Sequence, residues 1–146
     1  MLYRSKVEAS QNHKLIFPHV RETINDAFHR AEFQSVESID VIETHDCFSI
    51  TEYMAIDHFG LTAPGESWKA IEDGSITRKG KTPINPGGGL IGIGHPVGAT
   101  GVRMLLDGWK QVTGNAKDCQ IDDAKTVATL NIGGSTTTVI SFIIGR

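Results

Sequence analysis

NPGGGLIGIGHPVGATG, residues 85–101, is the stretch from which the fold of this chain can be argued. Seven of its seventeen residues are glycine, and glycine permits positive φ angles and the close approach of a ligand or another segment. Pro96 fixes its own φ and favours an extended conformation for His95. We therefore predict that His95 lies at a stiff turn between a strand and a helix, where its imidazole can be held for chemistry.

Other interpretations of this stretch are weaker. Residues 87–92 have the G-x-G-x-x-G spacing of a dinucleotide-binding loop, but that loop opens a helix and precedes an acidic residue by about 20 positions. Here Leu90 and Ile91 interrupt the motif, and the better helix start is Gly98 or later. A single histidine near a turn is also more often structural than catalytic. Whether His95 is catalytic therefore depends on the other residues of the chain.

The composition indicates one ordinary globular domain. The chain has 146 residues, of which 39% are hydrophobic and 21% charged, with a net charge of -3. This balance gives no reason to expect binding to nucleic acid, and no apolar run reaches the ~18 residues that a membrane span needs. The N-terminus lacks the apolar core of a signal peptide. Cys47 and Cys119 cannot form a disulfide framework, so we expect a reducing, cytoplasmic location.

Hydrophobic periodicity predicts a layered α/β or α+β fold that ends in a β-hairpin. Ser49 and Glu52 are spaced as a capping box, and His19 and His29 are assigned to a solvated helix face. Residues 1–14 are interpreted as a tail or part of a preceding element, and the domain as residues 15–146. The predicted elements are helices over about 17–33, 50–59 and 99–113, a short helix from Pro64, strands over 39–44, 125–131 and 136–144, one short extended piece within 74–86, and a turn at Gly133-Gly134-Ser135.

Candidate chemical groups gather at two junctions, both predicted to join a strand to a helix: His45-Asp46-Cys47 and His95-Pro96. A thiol beside imidazoles can act as a nucleophile or as an acid/base, and the backbone N–H groups of Gly133 and Gly134 suit an oxyanion. No pair of these residues has zinc-ligand spacing, so we predict no metal site. No G-x-S-x-G occurs, which argues against a serine hydrolase of that type.

Three motifs in order resemble the C-terminal half of the thiolases. Residues 94–103 read GHPVGATGVR after Asn85-x-x-Gly-Gly, and residues 131–134 read NIGG before a β-branched strand. Residues 43–52, ETHDCFSITE, resemble the branch related to sterol carrier protein X, in which His-Asp-Cys-Phe replaces the Asn-Glu-Ala-Phe of other thiolases. The resemblance covers about residue 15 to the end and implies the C-terminal half of the thiolase fold, an α/β fold with a mixed β-sheet flanked by helices.

The resemblance also implies a Claisen condensation, or its thiolytic reverse, on acyl-coenzyme A as substrate, with no covalently bound cofactor. His95 would deprotonate a nucleophilic cysteine and contribute to a first oxyanion hole with His45, and the Gly133 N–H would belong to a second. Most thiolases carry their acid/base cysteine where this chain has Asn131, so Cys47 would take that role. Gly94 and Gly134 would contact the substrate.

The family's acylated cysteine and most coenzyme A contacts come from an N-terminal half that these residues do not include. In the family the helix after the His-Pro turn lies between two sheets, so we expect this chain to expose an apolar face and to pair with an N-terminal half or self-associate. Three hypotheses follow: half of a thiolase, an inactive remnant or module that binds coenzyme A or acyl chains, and a component of a lipid-transfer-protein-type retro-aldolase.

Overall fold

The computed structural model describes residues 15–146, so the expectation for residues 1–14 lies outside the described residues. Three strands form one mixed sheet flanked by helices, as predicted. In chain order the elements are α1 (Pro18–Arg30), a 3-10 turn (Val36–Ser38), β1 (Val41–Thr44), α2 (Ser49–Phe59), α3 (Ser67–Glu72), α4 (Gly89–Ile93), α5 (Thr100–Val112), a second 3-10 turn (Lys117–Cys119), β2 (Thr126–Gly133) and β3 (Thr138–Gly145).

The sheet has the order β1-β2-β3. β1 runs parallel to β2, with Val41 opposite Val127, and β2 pairs antiparallel with β3. On the other side of β1, Ile84 forms an isolated parallel bridge with Ile42, which is the short extended piece predicted within residues 74–86. The parallel pair places the carboxyl ends of β1 and β2 at the same edge of the sheet.

Both faces of the sheet are covered. Side chains alternate along a strand, so neighbouring residues pack into two different cores. Ile42, Ala128 and Leu130 pack into the larger core, which includes residues of α1 and α2. Val41 and Val127 point to the other face and pack with Val112 of α5. Val41 and Glu43 therefore lie on one face of the sheet, and Ile42 and Thr44 lie on the other.

A buried histidine joins α1 to α2. His58 is 1% exposed; its Nε2 accepts the backbone N–H of Phe17 at 3.2 Å, and its Nδ1 lies 2.7 Å from Asp57 Oδ1. His19 was wrongly assigned to a solvated face, since its Nε2 donates to Thr136 O at 2.8 Å. His29 is exposed, as expected.

The predicted capping box at Ser49 is wrong. Phe48 is the N-cap of α2 and Ser49 is its first helical residue. The Thr51 hydroxyl donates to Phe48 O at 2.6 Å and lies 3.4 Å from Phe48 N. Glu52 is drawn away from the helix start, because its carboxylate accepts the side-chain amide of Asn85 at 2.9 Å.

The C-terminal hairpin is confirmed, with a longer turn than predicted. Gly133 is the last residue of β2, and the connection covers residues 134–137. Three of these residues have positive φ, including Ser135 and Thr136. The predicted turn at residues 133–135 is therefore shifted along the chain.

α5 carries apolar side chains on its outer face as well as on the face that packs against the sheet. Met104, Gly108 and Val112 are buried towards the sheet, while Val102 is 71% exposed. Leu106 and Trp109 are also exposed. The helix thus presents an uncovered apolar surface, as expected for a segment that lies between two sheets in the thiolases. None of the helices in the described part of the chain is long and apolar enough to cross a membrane.

Candidate active site

The first histidine junction lies at the carboxyl edge of the sheet. His45 follows β1 directly and continues its pairing with β2, since its backbone N–H donates to Leu130 O at 2.9 Å. Cys47 comes two residues later and is half-buried, before α2 begins. The Cys47 Sγ lies 3.9 Å from the Thr51 hydroxyl. The thiol and the imidazole are therefore held by a strand end and a helix start.

The second histidine follows a short helix, not a strand as predicted. That helix, α4, forms because the Asp46 carboxylate accepts the backbone N–H of Leu90 at 2.6 Å, with Ile91 N at 3.5 Å. Gly89 has φ of 60°, and a Cβ there would lie 2.2 Å from Asp46 Oδ2. The glycine-rich stretch thus allows a carboxylate from the first junction to reach the backbone of the second.

This connection brings the two histidines together. The ring centroids of His45 and His95 lie 4.9 Å apart, with an interplanar angle of 88°. The Nδ1 of His95 lies 2.7 Å from the Thr100 hydroxyl at the start of α5. That hydroxyl also donates to Pro96 O at 3.1 Å. His95 is therefore fixed by contacts with both the other histidine and α5.

His45 is held in a setting that favours its neutral form. Burial lowers the pKa of His45, the nearby His95 lowers it further, and Asp46 acts in the opposite direction. The Nδ1 of His45 is buried, and no residue in the described part of the chain hydrogen-bonds it. A neutral imidazole keeps one N–H donor, so His45 can donate a hydrogen bond without adding a charge.

The predicted chemical groups line one cavity of about 770 Å³ between α5, the hairpin and the start of α2. Apolar side chains such as Phe48, Leu105 and Phe142 form much of its wall. Gly94 precedes His95 and is not one of the described residues that line the cavity. The lining residues named from the sequence are His45, Cys47, His95, Gly133 and Gly134.

Asn131 also lines this cavity, at the position where most thiolases have a cysteine. Its side-chain Nδ2 lies 3.0 Å from the sulfur of Met104, a fully buried residue of α5. The amide is thus turned towards the core side of the cavity. This leaves Cys47 as the cysteine of the cavity wall, whereas Cys119 lies in the second 3-10 turn.

A buried ionisable group was missed by the sequence reasoning. Glu43 is 3% exposed, and burial raises its pKa to about 8, with Asp107 and Asp46 adding to the shift and Arg103 opposing it. Arg103 Nη1 donates to Gly89 O at 3.2 Å, and its Nε lies 3.6 Å from Asp107 Oδ2. An acidic residue at an inward-facing position of a buried strand was the available signal.

Asn85 was quoted in a motif, but its structural role was also missed. Its Oδ1 accepts the backbone N–H of Thr44 at 2.8 Å, and its Nδ2 donates to Glu52. It therefore ties the end of β1 to α2 on either side of the His45–Cys47 segment. Within residues 15–146, no group of three or more His, Cys, Asp or Glu side chains is placed to hold a metal ion.

Comparisons with known proteins agree with this arrangement. The acetyl-CoA acetyltransferase of Methanothermobacter thermautotrophicus is 41% identical over 108 residues, which are 74% of this chain and 28% of that protein. Sterol carrier protein 2 of Bos taurus is 44% identical over 95 residues, 65% of this chain and 18% of that protein. A solved structure of an Ltp2-ChsH2(DUF35) aldolase superposes with a TM-score of 0.78 at 21% identity, covering 88% of this chain and 32% of that chain.

The aldolase structure, at that identity, supports the fold alone. The two curated relatives are much longer proteins, and this chain spans under a third of each. The family described as "Thiolase C-terminal domain-like" matches residues 3–146, nearly the whole sequence. This chain therefore belongs to the thiolase C-terminal domain-like family.

Proposed function

We propose that this chain supplies one half of a thiolase-type active site that acts on acyl-coenzyme A. The observation that carries the proposal is the convergence of His45, Cys47 and His95 on one largely apolar cavity. Two segments that lie far apart in the sequence contribute these three side chains, so their meeting is a property of the fold. An apolar cavity with a few convergent polar groups is the expected form of a small-molecule site.

In this proposal His95 is the general base. It takes the proton of a nucleophilic cysteine supplied by an N-terminal half, and the resulting thiolate attacks the thioester carbonyl of the acyl-coenzyme A. The new thioester forms as the coenzyme A thiolate leaves and takes a proton from solvent, while His95 keeps the cysteine proton and returns it when the cysteine leaves as a thiolate. A positioned base of this kind contributes about 10²–10⁴-fold to a rate.

Cys47 exchanges a proton with the α-carbon of the substrate. In condensation its thiolate removes a proton from the α-carbon of an acyl-coenzyme A, and the enolate attacks the acyl-enzyme carbonyl. The carbon–carbon bond forms as the nucleophilic cysteine leaves as a thiolate. Thiolysis runs the same steps in reverse, with the Cys47 thiol returning the proton.

Hydrogen-bond donors stabilise the oxyanions of these steps. A neutral His45 donates to the enolate oxygen together with the Nε2–H of His95 in its protonated form, and the Gly133 N–H donates to the oxyanion of the acyl-enzyme. Removing one such donor costs about 10²–10³-fold in rate. Gly134 lies beside Gly133 in the cavity wall and leaves room for substrate. We keep Gly94 as a weaker candidate for a substrate contact.

The partner half accounts for the uncovered face of α5. Val102, Leu106 and Trp109 are exposed, and contiguous apolar surface of this kind marks a protein–protein contact. We propose that an N-terminal thiolase half covers this face and completes the cavity with its cysteine. Self-association through the same face is the alternative when that half is absent.

The test is reconstitution. The 146-residue chain is assayed for thiolysis of acetoacetyl-coenzyme A alone and after co-expression with an N-terminal thiolase half. Activity only in the pair supports the proposal. A folded pair without thiolase activity would favour the inactive remnant, and cleavage of β-hydroxyacyl-coenzyme A by the pair would favour the retro-aldolase.

Variants of the active pair assign the roles. We expect His95→Ala to lower acyl transfer by about 10²–10⁴-fold, and Cys47→Ser to spare acylation while stopping carbon–carbon bond chemistry. Cys119→Ser is the matched control, because Cys119 lies outside the cavity. Near-normal rates in His95→Ala, or condensation by Cys47→Ser, would remove that residue from the mechanism.

A further inference from the structure

We propose that Thr100 is a positioning residue that keeps the proton of neutral His95 on Nδ1 and so leaves Nε2 free to act as the base. This inference rests on the proposed function for its meaning, but not for its test. The Thr100 hydroxyl lies between two groups, His95 Nδ1 at 2.7 Å and Pro96 O at 3.1 Å. The direction of these two hydrogen bonds determines which ring nitrogen carries the proton.

A carbonyl oxygen can only accept a hydrogen bond, whereas a hydroxyl has one proton to give and can also accept. When the Thr100 hydroxyl donates to Pro96 O, it presents a lone pair to His95. The Nδ1 of His95 must then carry the proton and donate it. This arrangement makes two hydrogen bonds, whereas a hydroxyl that donates to Nδ1 makes only one.

Solvent does not compete for the hydroxyl, because Thr100 is 2% exposed. The Pro96 carbonyl also accepts the backbone N–H groups of Ala99 and Thr100, at 2.8 and 3.0 Å. The Pro96 carbonyl therefore accepts three hydrogen bonds, two from backbone N–H groups and one from the Thr100 hydroxyl. The His95 ring also meets the ring of His45 edge to face, at 4.9 Å between centroids.

The arrangement suits a base that gains and loses a proton. Nδ1 stays protonated in both the neutral and the charged ring, so its hydrogen bond to Thr100 persists through the cycle. The proton moves only on Nε2. The ring need not rotate between steps. This matters because a small displacement of a catalytic group can lower the reaction rate by a large factor.

The first test uses the 146-residue chain without any partner. Nitrogen-15 NMR of the chain labelled at histidine distinguishes the two neutral tautomers, and the His95→Ala variant assigns the signals. We expect wild-type His95 to carry its proton on Nδ1 at high pH. A His95 ring protonated on Nε2 in the wild-type chain would overturn the inference whether or not the chain is a thiolase.

Two substitutions separate positioning from packing. Thr100→Val keeps the shape but removes the hydroxyl, and we expect a mixture of tautomers at His95. Thr100→Ser keeps the hydroxyl, and we expect it to restore the wild-type spectrum. A Thr100→Val chain that keeps the pure Nδ1–H tautomer would contradict the proposal. If Thr100→Val does not fold, the wild-type and Thr100→Ser spectra still decide it.

In the reconstituted pair, Thr100→Val should lower kcat about tenfold or more and Thr100→Ser should recover most of it, as for other partners that orient a reactive imidazole. The isolated chain tests the tautomer and the pair tests the activity. A correct tautomer without thiolase activity would therefore count against the proposed function and leave the role of Thr100 intact.

Discussion

Replacing Gly89 with alanine tests how the glycine-rich stretch is joined to the His45-Asp46-Cys47 segment. Gly89 has φ of 60°, and an added Cβ would lie 2.2 Å from Asp46 Oδ2 and 2.6 Å from its Cγ. The carboxylate cannot stay where it is. Gly89→Ala must therefore strain the backbone and break the hydrogen bonds that start α4.

The two contributions can be estimated separately. An alanine in the left-handed region costs about 1–2 kcal/mol. Displacing the carboxylate loses its short hydrogen bond to Leu90 N, and a bond to a charged group is worth about 1.5–3 kcal/mol. The free energy of unfolding should therefore fall by about 2.5–5 kcal/mol, which is a large share of the stability of a small domain.

Gly92→Ala is the matched control within the same helix. A Cβ at Gly92 meets nothing within 4 Å, and its φ is not positive. Alanine is the better helix former by about 1 kcal/mol, so this variant should be neutral or slightly more stable. Urea unfolding of the 146-residue chain, followed by circular dichroism, measures both variants.

A second background isolates the clash. Asp46→Ala removes the carboxylate, so adding Gly89→Ala to it should cost only the backbone strain, about 1–2 kcal/mol. The two substitutions should thus be clearly non-additive, as contacting residues are. Equal stabilities of Gly89→Ala and Gly92→Ala, or simple additivity with Asp46→Ala, would refute the proposed link between the segments.

Two further predictions concern the buried polar groups beside the site. Because the native pKa of Glu43 is about 8 against an ordinary 4.5, the folded chain holds this proton more tightly than the unfolded chain. Stability should therefore fall between pH 4.5 and 8, by up to about 1.4 kcal/mol per pH unit. In urea unfolding, Glu43→Gln should flatten this pH dependence of stability, whereas the control Glu37→Gln, at an exposed position, should leave it unchanged. An unchanged slope in Glu43→Gln would contradict the assignment of the pH dependence to Glu43. Asn85→Gly, which keeps the positive φ but leaves Thr44 N–H unpaired, should cost about 1–3 kcal/mol, and wild-type thermal stability would contradict that role.

The sequence predicted best those elements whose signals are local. α1 was recognised from the helical spacing of its apolar residues, β1 from its β-branched alternation, and α5 from a run of apolar residues after Pro96. The final hairpin followed from two β-branched runs around paired glycines. In each case the residues that specify the element lie within it, and so composition and spacing were sufficient.

The errors lie where distant residues decide the local structure. α4 was not predicted because the group that accepts the Leu90 N–H in its first turn is Asp46, 44 positions away. The capping box failed because Asn85 takes the Glu52 carboxylate from 33 positions away. His19 was misplaced because its hydrogen-bond partner, Thr136, comes from the far end of the chain.

The candidate site was anticipated in its members but not in its geometry. The resemblance to thiolases named His45, Cys47 and His95, yet no spacing in the sequence could show that the two imidazoles touch edge to face. Their contact depends on Asp46 drawing α4 towards the end of β1. Thr100 was quoted as part of a motif, and only the fold revealed its hydrogen bond to His95.

The most direct test of the central claim is exchange of the acetyl-coenzyme A α-protons with deuterium from solvent, measured by NMR on the reconstituted pair. This exchange reports the acid/base step assigned to Cys47 without requiring a full turnover. We predict exchange in the wild type and in Cys119→Ser, and its loss in Cys47→Ser with acylation retained. Undiminished exchange in Cys47→Ser would contradict the claim that this cavity cysteine handles the substrate proton.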